Sequence, residues 1–306
     1  SMITRRTGRR VGFLIGTALA TISGILCFAS VIFMNFWLLA LGGLVFGFFA
    51  GFAQLYRFAA ADGITERYRS IAISLVLAGG VFSGFAGAGL AVWGENMVPV
   101  DWYSGDVDKF GGTFLFLVGT ALVAALALLF LRIPNLTKAQ LEGEQRPMWE
   151  IMKQPVFIAA AVSATVAQSV MNFLMTATPV AMIHICGHNF DSTAGVIASH
   201  IFAMFAPGVV TGFLIRKFGE VPIIIVGLLL EAACIAVALS GIEVFDFWLS
   251  MFLLGVGWNF TFTAATSLMT TAYTPAERAK TQGMMNQIIY TVVACGALSS
   301  GAFIHF

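Results

Sequence analysis

Charge is what this sequence has least of. Of its 306 residues only 10% are Asp, Glu, Lys or Arg, against 59% that are apolar; a water-soluble globule carries roughly a quarter charged and about half apolar. The solvent for most of this chain is therefore lipid. The few charges nearly cancel, to a net +1, which leaves no basic surface to neutralise phosphates and excludes nucleic acid as a partner. Cysteine is also scarce. Cys27, Cys186, Cys234 and Cys295 share no close spacing, so they read as small packing residues rather than a disulfide framework or a thiolate metal site. Intrinsic disorder is excluded by 29 Phe and 13 Met.

What is present is a series of long apolar runs. Crossing ~30 Å of hydrocarbon at ~1.5 Å per residue takes about 20 residues, and nine runs are long enough: near 11–33, 36–58, 70–93, 110–131, 155–182, 192–215, 221–242, 247–271 and 281–304. Arg5, Arg6, Arg9 and Arg10 precede the first run, as in a secretory signal. That run continues without a cleavage site after a short core, so it is read as a retained span. The runs are continuous rather than alternating, which predicts an all-α polytopic transmembrane bundle and not a barrel. With the N-terminus on the cytoplasmic side, all sixteen Lys and Arg except Lys109 fall inside, in keeping with retention of positive loops. The expected location is the cell (inner) membrane.

One offset aligns several unrelated features of the chain with itself. At 211 residues, Arg5, Arg6 and Gly8 fall on Arg216, Lys217 and Gly219; Gly16 falls on Gly227; Phe36 and Trp37 fall on Phe247 and Trp248; and Glu66, Arg67 and Arg69 fall on Glu277, Arg278 and Lys280. An even number of spans separates the copies, so the halves are parallel repeats related by an axis along the membrane normal. The same offset predicts partners before residue 1 for spans 155–182 and 192–215, and one after residue 306 for span 110–131. The chain thus reads as nine of twelve helices: a first half at 1–131, a polar cytoplasmic connector at 132–154, and a second half at 155–306.

These features resemble the major facilitator superfamily of secondary transporters, with the chain as its third to eleventh helices. Arg6, Gly8, Arg9 and Arg10 match the latter part of the loop motif between the family's second and third helices, with Arg5 at the motif's acidic position. The second copy keeps Gly212, Lys217 and Gly219. The span at 70–93 is rich in glycine, at Gly79, Gly80, Gly84, Gly87 and Gly89, as in the family's exporters. Arg57 to Asp62 and His200 to Pro207 look like a bacterial subgroup without an assigned substrate. The resemblance implies alternating access around a midplane site, and it makes spans 36–58, 155–182, 192–215, 247–271 and 281–304 walls of the cavity. Gly8 and Gly219 permit a sharp reversal of the chain, and the arginines can bond helix C-terminal carbonyls and anionic headgroups.

Polar groups at bilayer depth are costly and are read as functional candidates. Thr165, Gln168, Asn172 and Thr176 share one face of the span at 155–182, with Pro179 beyond them. Asn259, Thr263, Thr266 and Thr270 repeat the device on span 247–271. With His200, Asn286 and Tyr290, the two stripes are expected to line a solute cavity, although such residues also serve as interhelical bonds. His200 and Glu231 are the proton-coupling candidates; a structural role for either is the competing reading. The cytoplasmic gating set is Arg6, Gly8, Arg9, Arg10, Arg67, Arg69, Lys217, Gly219, Arg278 and Lys280. His184 and His188 lack a third ligand, so no metal or other cofactor is expected.

The function expected is secondary active transport of a small, neutral or weakly charged solute, driven by protons, by a monomer in the bilayer. The alternatives are a carrier-like scaffold, a sensor or a truncated product without transport. A membrane enzyme is disfavoured, because the sequence offers no buried carboxylate pair and no nucleophile beside a base.

Overall fold

The computed structural model describes residues 9–62, 64–95, 97, 111–130 and 145–303. Thirteen α-helices and no strand occur among them: α1 Arg9–Ile32, α2 Phe36–Ala53, α3 Tyr56–Asp62, α4 Arg69–Ala78, α5 Gly80–Glu95, α6 Gly111–Phe130, α7 Met148–Met152, α8 Pro155–Val180, α9 Phe190–Phe205, α10 Gly208–Phe218, α11 Glu220–Ala238, α12 Val244–Met269 and α13 Arg278–Phe303. Helical segments stand at all nine positions expected from the apolar runs. Seven are long and apolar enough to cross a membrane; the segments at 69–95 and 278–303 are the other two. Contacts divide the chain into two compact units, residues 1–59 with 85–135, and residues 60–84 with 136–306.

In the first unit α1 carries a stripe of small buried residues: Gly12, Gly16, Thr17, Ala20, Ser23, Gly24 and Cys27. Their spacing of three to four puts them on one helix face, where α2 and α6 approach closely. Ser23 Oγ donates to Gly42 O on α2 at 2.8 Å. Asn35 starts α2, its Oδ1 accepting from the amides of Trp37 (2.9 Å) and Leu38 (3.3 Å), two donors the first turn leaves orphaned. Arg10 donates through Nη2 to Leu129 O in the last turn of α6. This is the carbonyl-capping role expected of an arginine near a helix C-terminus.

The second unit is built around α12, against which α4, α8, α9, α10 and α11 pack. Fifteen residues of α12 are buried, so its burial extends around most of the helix. Two of the chain's long helical segments are broken. The segment 69–95 breaks at Gly79, and 190–218 breaks at Ala206–Pro207, because proline cannot continue the amide ladder. Pro179, by contrast, leaves α8 running to Val180, and the ladder then widens: Cys186 N–H donates to Ala181 O (2.9 Å) and His188 N–H to Met182 O (2.8 Å).

The contact between α4 and α10 explains why residues 60–84 group with the second unit. Ser70 Oγ donates to Gly212 O (3.1 Å), Ser74 Oγ donates to Gly208 O, and Gly212 N–H donates to Ser74 Oγ (2.9 Å). The Ser74 hydroxyl thus stands inside the ladder of α10, between a donor and an acceptor four residues apart. Only glycine fits here. A Cβ at Gly212 would lie 2.6 Å from Ile71 Cα, and one at Gly208 2.9 Å from Ser74 O.

Candidate functional site

Asn259, Thr263 and Thr266 on α12 have no exposed surface. Asn259 Nδ2 donates to Met204 O at 2.8 Å, and its Oδ1 accepts from Thr211 Oγ1 at 2.6 Å. Met204 lies in the last turn of α9 and Thr211 in the first turn of α10, so one amide holds both sides of the Pro207 break. The hydroxyls of Thr263 and Thr266 have no hydrogen-bond partner among the described residues. Thr270 donates to its own helix, at Ser267 O (2.7 Å).

The stripe on α8 divides along its length. Gln168 is buried, and its Oε1 accepts from Trp258 Nε1 of α12 at 3.1 Å. Trp258 in turn stacks on Phe262, with ring centroids 4.8 Å apart, and meets Phe205 edge-on at 6.0 Å. The remaining stripe residues bond backward along their own helix: Thr165 Oγ1 to Ala161 O (2.6 Å), Asn172 Nδ2 to Gln168 O (3.2 Å) and Thr176 Oγ1 to Asn172 O (2.9 Å). Asn172 is half-buried and Thr176 exposed; Asn286 and Tyr290 are half-buried on α13.

His200 and Glu231 lie on different sides of α12. A Cβ at Gly255 would sit 2.8 Å from His200 O, and one at Gly257 would sit 3.0 Å from Glu231 Cγ. Two residues along a helix turn it by ~200° while advancing it only ~3 Å, so the two groups flank α12 at nearly the same height. His200 Nδ1 lies 2.7 Å from Met251 O and therefore carries the ring proton. Nε2 is then an acceptor, buried and without a partner among the described residues; both carboxyl oxygens of Glu231 are in the same state.

The charged residues of the expected gating set fall into distinct places. Arg6 and Gly8 lie outside the described residues. Arg9 starts α1, beside the capping Arg10. Arg67 lies over the Tyr68 ring at 5.8 Å, and Arg69 meets Glu66 at 3.3 Å. Gly219 ends α10 with φ of +86°, the left-handed region that glycine tolerates, and Lys217 lies over Phe218 at 5.1 Å. Arg278 pairs with Asp62 at 3.2 Å, and Lys280 donates to Arg146 O.

Arg146 is the residue that sequence reasoning missed. It lies in the connector, where a single arginine carries no local signal, yet its guanidinium grips Glu277: Nε to Oε1 at 2.8 Å and Nη2 to Oε2 at 2.6 Å. The Arg146 amide also donates to Oε1 (2.8 Å) and the Thr274 amide to Oε2 (3.0 Å). These bonds to Arg146 hold the Glu277 carboxyl well below the usual carboxylate range, at about 2, and raise Arg146 in return.

Helices broken at glycine and proline and wrapped around a polar inner helix, in a chain repeated without inversion, are the architecture of a membrane carrier. Residues 1–297 match the sequence profile of the Major Facilitator Superfamily, and the chain belongs to that superfamily of transporters. It is 36% identical over 304 residues to the riboflavin transporter RfnT of Brucella anthropi, covering 98% of this chain and 74% of that protein. It is 29% identical over 317 residues to the uncharacterized MFS-type transporter YddS of Bacillus subtilis, covering 97% and 70%. Among solved structures, the E. coli fucose:proton symporter FucP superposes with a TM-score of 0.59 at 13% identity, covering 96% of this chain and 85% of that one. A bacterial homologue of the human lysosomal transporter Spinster also gives 0.59, at 18% identity, covering 98% and 69%. At such identities these structures speak for the fold alone.

Proposed function

We propose that the protein is a proton-coupled secondary carrier for riboflavin or a closely related planar heterocycle, working by alternating access. The observation that carries the substrate is the 36% identity maintained over 98% of the chain with a riboflavin transporter. The chemistry of the second unit is in keeping with it. Amides and hydroxyls on α8 and α12 suit a neutral solute with many carbonyl and ring-nitrogen acceptors, and Trp258, Phe262 and Phe205 supply aromatic surface beside them.

Proton coupling is assigned to His200 and Glu231. Each is buried beside α12, and each has an unpartnered oxygen or nitrogen able to take or hold a proton. Gln168, Asn172, Thr176, Asn259, Thr263 and Asn286 are assigned to the solute pathway, with Asn259 acting by fixing the break between α9 and α10. Uptake of labelled riboflavin by a riboflavin-requiring bacterium expressing the complete gene tests this reading. Saturable uptake that a protonophore abolishes is expected. His200→Asn and Glu231→Gln should each slow proton-driven uptake while leaving exchange of internal for external riboflavin intact. Uptake no faster than in cells without the gene would refute the substrate, and uptake indifferent to the protonophore would refute the coupling.

A further inference from the structure

The repeat places Glu66 and Glu277 at equivalent positions, but their surroundings differ. The Glu66 side chain is 86% exposed and meets only the neighbouring Arg69 among the ion pairs of the described residues. The Glu277 side chain is 0% exposed. Its two oxygens accept four hydrogen bonds, which fills the lone-pair capacity of a carboxylate, and three of the four come from Arg146. Further bonds run between the same two segments. Arg146 Nη2 donates to Ala272 O (3.1 Å), Gln154 Nε2 donates to the same carbonyl (3.1 Å), and Lys280 donates to Arg146 O. The next residue, Arg278, is turned the other way and pairs with Asp62, both side chains being mostly buried (12% and 14% exposed).

We propose that Arg146 is a positioning residue for transport: it latches the connector onto the turn between α12 and α13 and so fixes the angle at which these two helices leave one another. A carboxylate taken wholly out of solvent is stable only with its partners in place, and a bidentate guanidinium with an added backbone amide is directional as well as charged. The latch therefore opens as a unit, either closed with Glu277 satisfied or open with Glu277 hydrated. α12 carries Asn259, Thr263 and Thr266, so a change at its cytoplasmic end reaches the proposed solute pathway directly. Through Arg278 and Asp62 the same turn is tied to the end of α3. The connector becomes a handle: whatever moves residues 145–154 moves the α12–α13 turn.

The transport part of this proposal rests on the carrier reading above; the latch itself does not. The test uses the complete protein, in membranes for riboflavin uptake and purified in detergent for amide hydrogen exchange. Arg146→Ala is expected to speed exchange of the Thr274 amide and its neighbours roughly ten- to hundredfold, as loss of a buried pair's partner would. It should lower the maximal uptake rate about tenfold with little change in the half-saturating concentration, the signature of a slowed conformational step. Arg146→Lys, which keeps the charge but loses the fork, should fall between. Reversing the pair, Arg146→Glu with Glu277→Arg, should recover part of both readouts. Unchanged exchange at residues 271–281 in Arg146→Ala would overturn the latch. Faster exchange with an unaltered uptake rate would overturn its positioning role. If the unmodified protein moves no riboflavin, the substrate assignment falls while the exchange measurement still decides the latch.

Discussion

The two copies of the Glu-Arg loop, at 66–69 and 277–280, show how one sequence pattern is put to two uses. In the first, Glu66 and Arg69 form an exposed i, i+3 pair, a kind of contact worth only a few tenths of a kcal/mol. In the second, the corresponding acid is buried under Arg146, and the adjacent Arg278 reaches Asp62. The difference lies outside the repeat. Residue 146 belongs to the connector, and in the second copy this further segment closes over the duplicated pattern.

Arg146→Ala leaves a buried carboxylate without its fork, and a destabilisation of about 3 kcal/mol is expected, near the lower end for buried pairs because the Arg146 side chain is 40% exposed. Thermal unfolding in detergent would measure it, and Glu66→Ala serves as the matched control. Acid gives the next effect. The Glu277 carboxyl is held down to about 2 from an ordinary 4.5, so its contribution is fully present above pH ~4.5 and is lost as pH falls toward ~2. Arg146 is the cation on this carboxylate, and a guanidinium stays charged across that window. A Glu277→Gln variant should therefore start less stable and show a flatter acid limb in a melting-temperature series. Asp62→Asn removes the second tie and should cost about 1 kcal/mol, additive with Glu66→Gln but not with Glu277→Gln, whose neighbour shares the turn. Smallest of all, Glu66→Gln should change stability by less than ~0.5 kcal/mol. A large effect there would mean that the two loops are equivalent after all.

Much of the fold was legible because lipid imposes a simple rule: a spanning helix must be long and apolar, and the runs announce themselves. The repeat was legible for a related reason. Its start in α1 at Arg9 and its second start in α11 at Glu220 stand 211 residues apart, and the matched glycines lie at matched seams, Gly16 against Phe52 of α2 and Gly227 against Thr261 of α12. The break at Pro207 follows from residue type, whereas the one at Gly79 falls inside a run that reads as a single span.

What a stripe of polar residues touches was not legible. Asn259 and Thr176 carry the same sequence signal, a polar side chain on one face of an apolar helix. One proves to be buried and bonded to two other helices, the other exposed and bonded to its own backbone. Local spacing fixes the face of a helix, whereas the neighbour is chosen by packing at distances of tens of residues. Ser74 and Arg146 escaped notice for that reason, their partners lying 138 and 131 residues away.

The activity we propose is movement of riboflavin or a near analogue at the expense of a proton gradient. Its most direct test is riboflavin flux into vesicles containing the purified complete protein, with a pH difference imposed across the membrane. Accumulation above the external concentration, dissipated when the gradient is collapsed, is predicted. Flux equal to that of protein-free vesicles at every imposed gradient would contradict it.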